Sequence, residues 1–196
     1  MPEPIRLAIL ASGSGSNAVS ILEHFQTLSH VEVAFVGCNR SSKKAAIYER
    51  TRSYGIETEF FSIADLQEGR LLKIFREREV EWVALAGFLV RIPADFVRAF
   101  SDRMLNVHPS LLPKFGGQGM YGLNVHKAVI EAGESESGMT VHWVTEEYDE
   151  GAIVFQATCV VETNDTPELL AARVLQLEHT YFPRSIAACI ADKTER

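Results

Sequence analysis

The chain has 196 residues, 46% of them hydrophobic, enough for one large domain or two closely fused halves. Nineteen Lys and Arg against 26 Asp and Glu give a net charge of −7 with no basic tail or cluster, so neither a nucleic-acid surface nor an anionic membrane surface is advertised. The opening MPEPIRLAIL places Glu3 and Arg6 around a short apolar run, unlike a signal peptide or a membrane span, and a cytoplasmic protein is expected.

Residues 5–11 (IRLAILA) form a strand-like apolar run, followed by a glycine-serine turn and a helical period over 17–30. A strand is expected over 31–39, a helix over 41–55 stopped by Gly55, and a short extended piece over 56–61. One amphipathic helix is expected over 64–80 and a strand over 81–88, then a short helix over 95–100 behind Pro93. RMLNVHP (103–109) reads as the next strand. The glycine-rich KFGGQGMYG (114–122) has no period and reads as a loop.

A helix over 124–134 follows, with Asn124 as its cap. Residues 138–147 and 152–162 then alternate around the turn YDEG, as an antiparallel pair does. A long helix from about 166 closes the chain, capped by Asp165 or Thr166, and Pro183 inside it is expected to kink or split it. Repeated strand and helix with nearly unbroken apolar strands predict an α/β fold: a Rossmann-like, mostly parallel sheet with helices on both faces and antiparallel strands added in the C-terminal half. Cys38, Cys159 and Cys189 are far apart in apolar settings and read as reduced core thiols.

Three stretches invite chemistry. In ASGSGSN (11–17), Gly13 and Gly15 stand between the first strand and first helix, where backbone amides converge on an anion. The stretch lacks the Gly-Lys-Ser/Thr ending of a nucleotide P-loop and the third glycine of a dinucleotide fingerprint, so a phosphate monoester suits it better. The plain alternative is an ordinary turn with Ser16 or Asn17 as helix cap.

Asn106 and His108, two apart on a strand, share one face at a C-terminal strand end, where ligands of α/β sheets bind. An amide donor and a protonated imidazole suit the oxyanion that forms when an amine attacks a formyl or acyl carbon. A carboxylate nearby would favour the protonated ring and assist proton transfer. Asp149 is a candidate, and spacing leaves Glu146, Glu147 and Glu150 in competition with it. The remaining histidines are scattered without HExxH or CxxC spacing, so no metal site is expected. Ser110 has no GxSxG elbow, and Trp82 and Trp143 sit on apolar periods that suit a core.

Taken together, ILASGSGSN, LAGF (85–88), LNVHPSLLP (105–113), GLNVHKAVIEAG, TVHWVTEEYDEG (140–151) and LQLEH with YFP make the chain resemble the phosphoribosylglycinamide formyltransferases of the folate-dependent formyltransferase superfamily. The resemblance runs over essentially the full length. It implies a single formyltransferase domain over 1–196, with a phosphate-binding half to about 102 and a folate-binding, catalytic half from about 103. It implies 10-formyltetrahydrofolate as co-substrate, glycinamide ribonucleotide as acceptor and no metal. Asn106, His108 and Asp149 match the family's catalytic trio, and Ser12, Gly13, Ser14, Gly15, Ser16 and Asn17 match its substrate-phosphate loop. Glu178 matches an acid that contacts the substrate.

Leu89, Val90, Arg91, Ile92, Asn106, Val144, Glu146, Glu147, Tyr148 and Asp149 fall where such enzymes hold the folate, and the bond before Pro113 falls where they have a cis proline. Leu89-Val90-Arg91 stands where relatives commonly have Met-Arg-Ile, which leaves open whether Arg91 reaches the folate tail. The 114–122 stretch is longer than usual, either a substrate-covering loop closing through Met120 and Tyr121 or a plain surface insertion. The alternatives are another formyltetrahydrofolate-using superfamily member and a non-catalytic folate or nucleotide binder. Methionyl-tRNA formyltransferases would add a C-terminal domain, and formyltetrahydrofolate deformylases an N-terminal one. Partners are expected to be small molecules, with neither nucleic acid nor membrane, and the choice between monomer and homodimer is open.

Overall fold

The computed structural model describes residues 3–194 and divides the chain into two compact units, one running up to Leu105 and one from Asn106 onward. The first unit holds β1 (Ile5–Ala11), α1 (Ser16–Phe25), β2 (Val31–Cys38), α2 (Ile47–Arg52), β3 (Thr58–Phe60), α3 (Ile63–Gln67), α4 (Arg70–Glu77), β4 (Trp82–Leu85) and α5 (Ala94–Ala99). Its strands lie in the order β3-β2-β1-β4, all parallel, with Ile5 opposite Val31 and Leu10 opposite Leu85.

Five consecutive β1 residues, Leu7 to Ala11, are wholly buried, so both faces of this strand are covered. That accounts for the unbroken apolar run in the sequence. Around Phe75 of α4 the rings of Phe35, Phe96 and Phe100 pack at centroid distances of 5.2 to 5.8 Å, mostly edge to face.

Local chemistry trims the expected elements. The helix expected over 64–80 is two helices, because Gly69 takes a left-handed φ of 75° between them. A capping box starts the first: Ser62 Oγ accepts from the Asp65 amide while Asp65 accepts from the Ser62 amide. The helix expected from 41 starts only at Ile47, after a turn in which the Lys44 amide bonds the Ser41 carbonyl. The strand expected over 81–88 is Trp82–Leu85 alone.

β5 (Met104–His108) leads from the first unit into the second, which continues with α6 (Leu123–Glu131), β6 (Glu136–Trp143), β7 (Ile153–Val160) and α7 (Pro167–Thr194). β6 and β7 pair antiparallel as expected, with a register shift between Val141 and His142. β7, last in the strand order, is largely exposed, whereas Ser137 to His142 of β6 are buried.

α7 lies against α6, β6 and β7 and buries Leu170, Val174, Phe182, Ile186 and Ile190. It runs unbroken through Pro183, so the expected split does not occur. Of its two expected caps, Thr166 accepts from the Leu169 amide, while Asp165 is held by both guanidinium nitrogens of Arg173 at 2.7 and 2.9 Å. Asn124 is not a cap either: it lies inside α6, whose N-terminal flank is Gly122, and donates to the Gly119 carbonyl. The result is a mostly parallel, Rossmann-like sheet with flanking helices and an antiparallel pair in the C-terminal half. Among the described residues no helix is long and apolar enough to cross a membrane.

Candidate active site

Asn106 and His108 stand at the end of β5, separated by the buried Val107 that points to the other face. His108 is 4% exposed, and its Nε2–H donates to the Phe115 carbonyl at 2.8 Å. With that proton committed, Nδ1 faces Asp149 Oδ2 at 3.4 Å, a contact that is attractive only when Nδ1 also carries a proton. Burial pushes the His108 pKa below its ordinary value. The Asp149 charge and the Phe115 carbonyl pull against that fall, and nearby His142 adds to it.

Asp149 lies in the β6–β7 turn at a left-handed φ of 56°, a conformation that aspartate tolerates better than most residues. Its Oδ2 accepts from the Gly117 amide at 2.9 Å, and its Oδ1 lies 3.5 Å from His142 Nε2. Burial raises its pKa, but His142, His108 and the Gly117 amide together outweigh burial and hold the carboxyl below the usual range. Glu146, Glu147 and Glu150, its competitors by spacing, are exposed.

His142, at the end of β6, completes the cluster. Its Nδ1 bonds the Trp143 carbonyl at 2.9 Å, and its Nε2 meets Asn106 Nδ2 at 3.0 Å. Sequence reasoning passed over this histidine as one of several scattered ones. Its signal was position: a strand end just ahead of the acid-bearing turn. Phe115 and Gly117 were missed for another reason, since each contributes a backbone group that no side-chain motif reports.

The expected cis bond is present at Leu112–Pro113. The segment carrying it is held by buried Thr140, whose Oγ1 accepts from the Leu112 amide and donates to the Ser110 carbonyl. Ser110 Oγ in turn donates to the Lys114 carbonyl at 2.7 Å, so the start of the glycine-rich stretch is tied down. Further along, Met120 is half-buried and Tyr121 exposed. Val144 is half-buried, Tyr148 is exposed, and Glu178 is buried in α7 with 7% exposure.

In the first unit, Ser12 to Gly15 form the turn between β1 and α1. Gly15, at φ 74°, occupies the capping position, so neither Ser16 nor Asn17 caps the helix. A Cβ at Gly15 would come within 2.5 Å of the Ile47 side chain, which makes glycine necessary on two counts. No acid occupies the first turn of α1, so the partial positive charge of the helix start is not opposed there. The Ser12 amide donates to the Gly87 carbonyl and its Oγ accepts from the Leu89 amide, both at 3.0 Å. Ser14 is exposed with its Oγ 3.5 Å from that of Ser16, and Asn17 is buried. Of the residues expected at the folate, Leu89 and Arg91 are exposed, Val90 is half-buried and Ile92 belongs to the core.

Comparison with known proteins agrees with this architecture. The formyl transferase family model matches residues 5–186. A chloroplastic phosphoribosylglycinamide formyltransferase of Arabidopsis thaliana is 41% identical over 98% of this chain and 68% of its own length. Its counterpart in Vigna unguiculata is 42% identical over 96% of this chain and 62% of its own length. The crystal structure of phosphoribosylglycinamide formyltransferase from Anaplasma phagocytophilum superposes with a TM-score of 0.87 at 34% identity, covering 97% of this chain and 89% of that one. A match of this extent in sequence and fold shows that the chain belongs to the formyl transferase family.

Proposed function

We propose that this chain transfers the formyl group of 10-formyltetrahydrofolate to the primary amine of glycinamide ribonucleotide, a step of purine biosynthesis. The observation that carries the reading is the cluster in which half-buried Asp149 stands between the buried His108 and His142 while His142 lies against half-buried Asn106. The amine nitrogen bonds to the formyl carbon, and the carbonyl electrons move onto oxygen. Asn106 Nδ2–H and the His108 imidazolium stabilise that oxyanion, with Asp149 favouring the charged ring. Asp149 and His108 form the route by which the amine proton leaves. Collapse breaks the bond to the folate nitrogen, which departs protonated, and the chemistry calls for no metal.

The Ser12–Asn17 turn is assigned to the ribonucleotide phosphate, which suits a helix start free of acids. Glu178 is assigned to the substrate. Leu89, Val90, Arg91, Ile92, Asn106, Val144 and the stretch from Glu146 to Asp149 are assigned to the folate, and a cytoplasmic setting with reduced thiols goes with this reading. Formyl-transfer assays with glycinamide ribonucleotide and with free glycinamide test it. Strong preference for the ribonucleotide is expected, together with loss of transfer but retained phosphate-ligand binding in His108→Ala. Equal use of both acceptors would remove the role of the 12–17 turn.

A further inference from the structure

We propose that His142 is a positioning residue of this site, one that sets which end of the Asn106 carboxamide is offered to the reacting formyl oxygen. The proposal rests on the formyl-transfer reading, with Asn106 as amide donor. His142 is 3% exposed, so it acts through its neighbours. Its Nδ1 lies 2.9 Å from the Trp143 carbonyl, which only accepts, so Nδ1 carries the ring proton. Nε2 then faces two groups, Asn106 Nδ2 at 3.0 Å and Asp149 Oδ1 at 3.5 Å, and the shorter contact is a hydrogen bond where Nε2 accepts and the Asn106 NH2, rather than its oxygen, is turned to the ring.

One amide N–H is thereby spent on His142, and the second is left for an oxyanion. Without the Nε2 acceptor the carboxamide can turn over and present its oxygen, which repels an oxyanion where the N–H would stabilise it. A proton on Nε2 would instead be donated to Asp149 Oδ1 at 3.5 Å and would turn the Asn106 oxygen toward the ring, the opposite amide orientation. His142 therefore links the two halves of the cluster: the donor amide and the carboxylate that partners His108.

Formyl-transfer kinetics of the unmodified chain, Asn106→Ala, His142→Gln, His142→Asn and the double variant Asn106→Ala/His142→Asn decide the matter. Glutamine restores an acceptor near the place of Nε2; asparagine puts its amide near the place of Nδ1 and leaves Nε2 unreplaced. His142→Asn is expected to lose kcat roughly ten- to hundredfold with KM for both substrates changed less than about threefold, while His142→Gln keeps most of its kcat. Combined with Asn106→Ala, the His142→Asn change is expected to cost nothing further.

Full activity in His142→Asn, or multiplying losses in the double variant, would overturn the proposal while leaving the formyl-transfer reading intact. Absence of transfer in the unmodified chain would overturn that reading itself, and the proposal with it. Nitrogen-15 spectra of histidine-labelled unmodified protein read the ring without any substitution. A ring proton on Nδ1 with a bare Nε2 is expected, and a ring protonated at Nε2 overturns the proposal even where the variants fail to fold.

Discussion

At Asp149 a single carboxylate faces three groups, His108, His142 and the Gly117 amide, and its charge is the main force opposing the fall in the His108 pKa that burial causes. Asp149→Asn keeps the shape and removes that charge. The His108 pKa then falls further, so the protonated fraction at neutral pH shrinks and the limb of the kcat–pH profile that follows it moves to lower pH. A loss of roughly 10² to 10⁴ in kcat at neutral pH is expected, checked by kcat against pH for the two proteins. Gly15 shows a different single-residue constraint, since a side chain there meets both a left-handed φ and the body of Ile47. Gly15→Ala is expected to cost more than about 2 kcal/mol, read from urea unfolding, because backbone strain of about 1 kcal/mol adds to overpacking of 1 kcal/mol or more.

Elements in this chain are bounded by local chemistry more than by hydrophobic period. Leu66, Leu71, Leu72 and Phe75 all face the core, so their spacing reads as one helix, yet Gly69 ends α3 and starts α4. The reciprocal bonds of Ser62 and Asp65 are the starting signal of α3. Ser62→Ala is expected to destabilise the protein by about 1 kcal/mol, while Gly69→Ala, with open space around its Cβ, costs about 1 kcal/mol through φ alone. Urea midpoints measure both, and a larger loss in Gly69→Ala than in Gly15→Ala would contradict the steric argument. In α7 the reverse holds: Pro183 removes an amide donor, but buried neighbours such as Phe182 and Ile186 keep the helix continuous past it.

For the molecule as a whole, buried histidines set how stability responds to mild acid. His126 is 4% exposed, with Nδ1 buried away from any partner, and its pKa is lowered to about 4, chiefly by burial and then by His108. The unfolded chain takes up this proton near 6.5, whereas the folded chain resists until about 4. Stability is therefore full above 6.5 and falls as pH drops through that window, by at most about 1.4 kcal/mol per pH unit for one proton. His126→Gln is expected to flatten the slope, measured by urea midpoints against pH. Asp65, Asp149 and Asp165, all lowered from 3.8, lose their contributions in a separate window below that value. The alternation of strands and helices, the pairing of Asn106 with His108 on one strand face and the glycine turn before α1 are all legible in the residues themselves. Each of these is set within a few residues by side-chain period or allowed φ. That Asp149 rather than its exposed neighbours reaches His108, that His142 lies against Asn106, and that the Phe115 carbonyl and the Gly117 amide close the cluster emerge from packing alone. Those contacts join groups 7 to 41 positions apart, and packing, which no local period records, brings them within hydrogen-bonding or ion-pair reach.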